Sequence, residues 1–256
     1  MLTANHLYVQ GRHSDLLAPT SLSVAPGEVL LAQADDASAR TALALTLSGR
    51  MKPTSGSLHW NRDASLTHLR RRSALLDSPG VNEPEPHLRV KDLVAEDLAL
   101  TPRADRPKAS PAVWLKARGF GDCGNLWIEQ LPSPDRIRLL IALALTDSRV
   151  DLLVLDSPDR HQADPGAWLP VLEEAVAHAL ANDEARNLAV VAAVAQLPAL
   201  WDGPTALAEQ AGRDDSDGLP AEPADSDSPQ AADAADAADA ADAHQSSDTA
   251  ETEVSA

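Results

Sequence analysis

Short apolar runs alternate with helical patterns along the first 200 or so residues of the chain. Alternating apolar and polar positions at 7–10 and 21–24 predict two antiparallel strands. Buried strands are predicted where the runs are apolar throughout, at 29–32, 74–76, 152–155 and 188–195. Helical spacing occurs between them, at 41–48, 90–100, 136–146 and 171–180. This order of elements predicts an α/β domain with a mostly parallel sheet.

The periodic pattern ends near residue 213. Residues 231–243 repeat Ala-Ala-Asp and are flanked by Ser, Pro, Asp and Gln. Such a segment has too little apolar bulk to form a core, so residues 214–256 are predicted to be a disordered acidic tail. The folded domain is expected to span residues 1–213.

Charge and composition narrow the classes of partner. Thirteen of the 39 acidic residues, but no Lys or Arg, lie in residues 214–256, so about −13 of the formal charge of −18 belongs to this segment. An acidic chain repels phosphates, which excludes nucleic acid as a direct partner. The single cysteine, Cys123, excludes an intramolecular disulfide and suits a reducing compartment. No run of eighteen apolar residues occurs, which predicts a cytoplasmic protein without its own membrane span.

The segment 27–43 has the order strand, polar turn and helix that is typical of a phosphate-binding loop. Such a loop uses glycines, which allow backbone amides to approach phosphates, followed by Lys and Ser or Thr. Those four positions are occupied by Ala34, Ala39, Arg40 and Thr41. A helix N-terminus with an arginine still favours anions. Internal pairing of Arg40 with Asp35 and Asp36 is the alternative.

Asp156 ends the apolar run at 152–155 and is therefore expected to point into a site at the carboxyl edge of the sheet. Asp159, His161 and Asp164 follow it closely, but their spacing matches no metal-ligand pattern, so polar surface is favoured over a metal cluster. The arginines at 70–72 are interpreted as a solvated entry to the strand at 74–76.

Together these landmarks resemble the nucleotide-binding subunit of ATP-binding cassette (ABC) transporters over residues 2–213. The resemblance rests on the order of Gly27-Glu28-Val29-Leu30, Pro53-Thr54-Ser55-Gly56, Asp156 and Asp164-Pro165. It implies a P-loop α/β fold with N-terminal antiparallel strands, a mostly parallel sheet and a small helical insertion at about 78–135.

The resemblance also implies which positions would contact ATP and Mg²⁺. The corresponding nucleotide-binding positions are Ala34, Ala37, Ala39, Arg40, Thr41, Ala42 and Asp77. Alanines replace the loop glycines, and Asp77 replaces the glutamine that senses the γ-phosphate. Gln10 is nearest to the position of the aromatic residue that stacks on the base. Asp156 remains a candidate Mg²⁺ ligand.

The catalytic positions differ from those of the family as well. Ser157 stands where the family has the glutamate that activates water, and Val194 stands where it has the switch histidine. The signature segment is replaced by Leu131-Pro132-Ser133-Pro134-Asp135, which has lost both glycines. Since two subunits share each ATP site in this family, a dimer with an intact subunit would lack ligands at both sites.

These departures predict a cassette that has lost ATP hydrolysis and serves as a structural or regulatory subunit. The helical insertion would dock on an integral membrane protein, at the cytoplasmic face of the membrane, and the chain would dimerise with itself or with another ABC subunit. The enzymatic alternative is a divergent ABC ATPase that still binds Mg-ATP and energises transport of an unknown substrate. A third interpretation is a scaffold whose acidic tail recruits a basic partner.

Overall fold

Two β-sheets organise the residues that this computed structural model describes, 1–181 and 187–208. The smaller sheet is antiparallel and has the order β2-β1-β4, with β1 at Leu2–Gln10, β2 at Asp15–Val24 and β4 at Ser55–Trp60. Glycine is required at Gly56, where β4 lies close to β1. Its backbone has a φ of 88°, and a Cβ atom at this position would lie 2.2 Å from the carbonyl oxygen of His6. The predicted N-terminal antiparallel strands are therefore confirmed.

The larger sheet has five parallel strands in the order β5-β6-β7-β3-β8. Its strands are β3 (Val29–Gln33), β5 (Ser73–Leu76), β6 (Leu152–Asp156), β7 (Ala189–Val194) and β8 (Thr205–Leu207). The sequence pattern did not predict β8, because this edge strand is three residues long and buries only its central residue. The predicted parallel sheet is otherwise confirmed.

Six α-helices accompany the sheets in the described part of the chain. They are α1 (Ala37–Leu47), α2 (Leu66–Arg72), α3 (Val90–Leu100), α4 (Pro111–Ala117), α5 (Ser133–Ala144) and α6 (Pro165–Ala181). Between β5 and β6 the chain forms α3, α4 and α5. Helices α3 and α4 lie within the predicted helical insertion at about 78–135, and α5 begins where that insertion ends. None of these helices is long and apolar enough to cross a membrane.

The core consists of two apolar clusters, one on each face of the parallel sheet. Leu31, Leu153 and Leu155 belong to the cluster that contains residues of α3, α4, α5 and α6. Leu30 and Val154 belong to the other cluster, which contains residues of α1, α2 and the antiparallel sheet. Alternate strand residues point to opposite faces, so the fully apolar runs follow from burial of both faces.

The structure places the arginines at 70–72 in a helix, whereas the sequence pattern was interpreted as a solvated entry to a strand. They form the last turn of α2, which begins after the capping residue Ser65, and the strand β5 starts only at Ser73. Cations are favourable at the C-terminus of a helix because the last carbonyl groups carry partial negative charge. Arg70 also donates two hydrogen bonds to the carbonyl oxygen of Gly49, just past the end of α1.

The predicted acidic tail at 214–256, including its Ala-Ala-Asp repeat, lies outside the described residues. The tail and the scaffold interpretation that depends on it stay predictions.

Candidate functional site

The chemically distinctive residues meet at one edge of the parallel sheet. Strands β3, β5, β6 and β7 all end there, because parallel strands place their carboxyl ends on the same side. Asp77 follows β5, Asp156 and Val194 are the last residues of β6 and β7, and the turn at 34–36 connects β3 to α1. The expectation that Asp156 lies at this edge is confirmed.

The N-terminus of α1 is capped by the carboxylate of Asp36. Its Oδ1 accepts hydrogen bonds from the backbone amides of Ser38, at 2.7 Å, and Ala39, at 3.2 Å. The Ser38 hydroxyl donates to the same oxygen. These hydrogen bonds, led by the one from the Ser38 side chain, lower the pKa of Asp36. The amides at the start of the helix therefore already have an anion as their partner.

Arg40 turns back onto the loop that precedes α1. One guanidinium nitrogen, Nη1, donates to the backbone carbonyls of Ala34, at 2.7 Å, and Asp35, at 2.8 Å. Its Nε donates to the Ser157 hydroxyl at 2.9 Å. The alternative of internal pairing with the carboxylates of Asp35 and Asp36 is not what the described residues show, since Arg40 binds the backbone carbonyl of Asp35. The carboxylate of Asp36 caps the helix instead.

The remaining predicted loop positions lie in the first turns of α1. Ala37 and Ala39 belong to its N-terminal turn, and Ala42 is buried in the next turn. A cavity of about 530 Å³ opens above this turn and is lined by both polar and apolar side chains. Leu16, Leu45 and Met51 provide much of the apolar lining.

Asp156 is 1% exposed and is surrounded by hydroxyl groups. Its Oδ2 accepts hydrogen bonds from Thr41 and Ser78, both at 2.7 Å, and its Oδ1 accepts one from Ser157 at 2.9 Å. Three donors compensate the burial of this carboxylate, as buried charges require. Thr41 and Asp156, the two residue types that a Mg²⁺ site would use, are therefore hydrogen-bonded to each other.

The arrangement at this edge does not fit Mg²⁺ and a triphosphate as it stands. A triphosphate needs free amides and a cation directed at it. Here the amides at 38 and 39 bind the Asp36 carboxylate, Arg40 binds carbonyl oxygens, and Asp156 is occupied by hydroxyl donors. The side chains of Asp35 and Asp36 add negative charge beside the loop.

Asp77 is the centre of a second cluster, formed with Arg136, Arg160, His161 and Glu83. Arg136 donates to both carboxylate oxygens of Asp77, with Nη2–Oδ1 at 2.7 Å and Nε–Oδ2 at 3.2 Å. Arg160 Nη2 lies 3.1 Å from Asp77 Oδ1 and 2.9 Å from Glu83 Oε1. His161 Nε2 lies 2.9 Å from Asp77 Oδ2. Both carboxylate oxygens of Asp77 therefore already have partners within the chain.

The surroundings of Asp77 strongly favour its charged form. Burial, which disfavours the carboxylate, is the largest single influence, but the hydrogen bonds from His161 and Arg136 and the charges of Arg136 and Arg160 together outweigh it. The net effect lowers the pKa of Asp77 to about 2. Asp77 also has a left-handed backbone, with a φ of 56°, which aspartate tolerates better than most residues do.

Asp77, Glu83 and His161 form the group of potential metal ligands found among the described residues. Both carboxylates already contact guanidinium groups, so the cationic role is taken by Arg136 and Arg160. Asp156, Asp159, His161 and Asp164, for which polar surface was favoured over a metal cluster, do not together form this group. His161 joins Asp77, and Asp159 Oδ2 instead accepts the backbone amide of Ala195 at 2.8 Å.

The two positions at which the resemblance implies catalytic residues are occupied by Ser157 and Val194. Ser157 adopts a left-handed backbone, with a φ of 53°, and its hydroxyl lies between Asp156 and Arg40. Val194 is fully buried, and its carbonyl oxygen accepts the backbone amide of Ala34 at 3.0 Å.

The segment at the signature position leads into α5. Leu131 is buried, Pro132 is the capping residue, and Ser133 and Pro134 begin the helix. Asp135 pairs with Arg138 one turn later, at 3.2 Å. Backbone amides at 132 and 134 are absent because both residues are proline.

Four members of these clusters were not identified from sequence: Ser78, Glu83, Arg136 and Arg160. One signal was available for Arg136, which shares a helical face with Leu140 and Leu143, at spacings of four and seven residues. A charged residue on a buried stripe needs a buried counter-charge. Ser78, Glu83 and Arg160 lie in polar segments that carry no comparable pattern.

The fold and the site at the sheet edge define the class of this protein. The described part of the chain has the fold of an ABC nucleotide-binding domain. No protein-family model matches the chain. A curated relative is the sulfate/thiosulfate import ATP-binding protein CysA of Vibrio cholerae, which is 29% identical over 150 residues. The aligned region is 56% of this chain, and the chain spans only 39% of the length of that relative.

Solved structures with this fold are similar over most of the chain. One is described as a metal-chelate type ABC transporter in an inward-facing conformation, with a TM-score of 0.57, 17% identity, and coverage of 82% of this chain and 80% of that chain. The dimeric bacterial cassette MJ0796 has a TM-score of 0.54 and 18% identity, with 77% and 88% covered. For cbiO1 of Clostridium perfringens the values are 0.52 and 17%, with 76% and 78% covered. These similarities establish the fold.

Proposed function

We propose that this chain is an ABC-type subunit that has lost ATP hydrolysis and acts as a structural or regulatory partner in a membrane protein complex. The observation that carries the proposal is that the hydrogen-bonding groups of the site already have partners within the chain. The helix amides bind Asp36, Arg40 binds carbonyl oxygens, and Asp156 binds hydroxyls. Opening the site for a nucleotide would break these contacts and bring a triphosphate close to two acidic side chains.

The absence of a suitable base at position 157 supports the same conclusion for hydrolysis. A serine hydroxyl is not basic at neutral pH, so it cannot assist the attack of water as a carboxylate does. In this chain the Ser157 hydroxyl also donates to Asp156 and accepts from Arg40. Even a bound ATP would then lack a general base at the position where the family supplies one.

Steady-state phosphate release by the purified full chain tests this proposal. We expect the wild-type rate in Mg-ATP to equal that of the Asp156→Ala variant and of a blank without protein. A rate above the blank that Asp156→Ala abolishes would refute the loss of hydrolysis. Denatured-protein and metal-chelated samples serve as controls for contaminating ATPases.

The second candidate is a divergent ABC ATPase that retains weak Mg-ATP binding. The contact of Thr41 Oγ1 with Asp156 Oδ2 at 2.7 Å favours it, because both residue types that would hold Mg²⁺ are kept in proximity. Saturable binding of Mg-ATP, weakened by Thr41→Val but unchanged by Thr46→Val in the same helix, would support this alternative.

The proposed partner is an integral membrane subunit, which would place the chain at the cytoplasmic face of the membrane. The support is a groove of about 450 Å³ between the sheet and the helical insertion. Arg50, Arg70 and Arg71 line one part of it, whereas Asp97 and Leu100 of α3 line another. Leu100 is 82% exposed and so presents an apolar side chain to a partner at this groove. Dimerisation with a second copy or another ABC subunit remains part of this proposal.

A further inference from the structure

The cluster around Asp77 links three separate parts of the chain. Asp77 and Glu83 belong to the segment that leaves β5, Arg136 belongs to α5, which begins where the helical insertion ends, and Arg160 lies in the turn after β6. We propose that these residues form an ion-pair lock that fixes the orientation of the helical insertion on the parallel sheet without any bound ligand. The proposal concerns the chain alone and does not depend on a partner or on the fate of ATP hydrolysis.

Apolar packing by itself would not fix this orientation as sharply. Residues of α3, α4 and α5 share one apolar cluster with the sheet and α6, so the insertion is attached by a continuous hydrophobic contact. Hydrophobic contact is non-directional and tolerates small rotations of one surface over another. A bidentate guanidinium–carboxylate pair instead requires a particular angle and distance. It therefore restricts the orientation of the two elements that carry the pair.

The central pair of the lock, Arg136 and Asp77, is buried, whereas Arg160 and Glu83 are partly exposed. The side chains of Arg136 and Asp77 are 8% and 7% exposed, and two arginines face two carboxylates. Solvent screening is weak at such a site, and separating the pair would leave charges buried without partners. A rotation of α5 away from β5 is therefore opposed by the loss of both Arg136–Asp77 hydrogen bonds.

Further contacts hold the carboxylate end of the lock in place. Arg160 Nη1 donates to the backbone carbonyls of Asp77 and Asp156. The Ser78 hydroxyl donates to Asp156, and Asn82 Nδ2 donates to the carbonyl oxygen of Leu75 at 2.6 Å. The segment after β5 is thereby tied to the ends of β5 and β6. Arg136 connects this anchored segment to α5, at the point where the helical insertion ends.

Hydrogen–deuterium exchange of the full chain, read by mass spectrometry on peptides, tests the lock. Removal of the guanidinium in Arg136→Met should accelerate amide exchange at least tenfold in α5 and in residues 77–83. Exchange in β3, β6 and β7 should stay within twofold of the wild type, because the sheet keeps its own core. The matched control is Arg138→Met, which removes an exposed arginine two residues away in the same helix. We expect no regional change for this control.

A second variant guards against a misfolded single mutant. The pair Arg136→Met and Glu83→Gln removes one positive and one negative charge, so that Asp77 and Arg160 remain to balance each other. It should show the same regional acceleration. Equal acceleration in all peptides would mean that Arg136 serves global stability only, and unchanged exchange in α5 would mean that apolar packing suffices. Either result would overturn the lock.

Discussion

At the residue scale, charged side chains of the chain itself bind the backbone groups of the candidate site. Asp36 supplies an anion to the start of α1, and Arg40 supplies a cation to the adjacent loop carbonyls. Around Asp77, the guanidinium groups of Arg136 and Arg160 neutralise a buried carboxylate. These internal partners satisfy the charged groups at the polar sheet edge.

The lowered pKa of Asp77 predicts a specific loss of stability in acid. A carboxyl group whose folded pKa is depressed stabilises the protein above its unfolded pKa, near 3.9, and this stabilisation is lost as pH falls toward the folded pKa. For a folded pKa of about 2, the contribution is on the order of 2 kcal/mol. We expect the difference in unfolding free energy between wild type and Asp77→Asn to shrink by that amount from pH 5 to pH 2.

Urea unfolding at several pH values measures this difference. Asparagine suits the comparison because it resembles aspartate in shape and tolerates the left-handed backbone at this position. Asp135→Asn, at an exposed surface pair, provides the control for general acid effects. A wild-type-to-variant difference that does not change with pH would contradict the ionised, paired state of Asp77.

At the scale of elements, β3, its loop and α1 show what the sequence could and could not predict. The apolar run before a polar turn and an apolar-faced helix was enough to predict the strand and helix, and the order of the landmarks predicted the sheet. The partners of Arg40 could not be predicted, because they are backbone carbonyls whose directions depend on the folded loop. Arg136 was missed although it lies on an apolar stripe, and β8 was too short to carry a pattern.

The cap of α1 yields a prediction for this element. Asp36→Ala removes the acceptor for two backbone amides, so the unfolding free energy should fall by about 1 kcal/mol. Asp35→Ala is the matched control, since the Asp35 side chain receives one longer contact, at 3.3 Å, from Gln33. Chemical denaturation of both variants measures the effect. An equal loss of unfolding free energy for the two substitutions would show that capping by Asp36 does not stabilise the protein.

At the scale of the whole molecule, the described residues have the architecture of an ABC cassette around a polar sheet edge whose hydrogen bonds are made within the chain. The parallel sheet, the antiparallel sheet and the inserted helices give the fold of ABC cassettes at 16–18% identity to solved examples. The charged residues of the sheet edge, Arg40, Asp77 and Asp156, belong to neither apolar cluster, whereas Ala42 and Val194 are members of the two clusters. The groove beside the helical insertion then offers a surface for an interaction role.

The groove predicts that membrane association depends on Leu100. We expect Leu100→Asp to reduce the fraction of the full chain that sediments with membranes of its source cells by at least half, because a charge replaces an apolar contact at the groove. Val113→Asp is the matched control, since Val113 is also exposed on the helical insertion but does not line the groove. Equal sedimentation of wild type and both variants would exclude the groove as the docking surface.

Equilibrium binding of Mg-ATP to the purified full chain is the most direct test of the central claim. Isothermal titration calorimetry, with the CysA relative from Vibrio cholerae as a candidate positive control, should detect no saturable heat for this chain up to millimolar nucleotide. The reason is that each charged group of the site already has partners within the chain: Asp36 accepts from helix amides, Arg40 donates to loop carbonyls, and Asp156 accepts from hydroxyl groups. Saturable binding at micromolar concentration that is lost in Asp156→Ala would contradict the account.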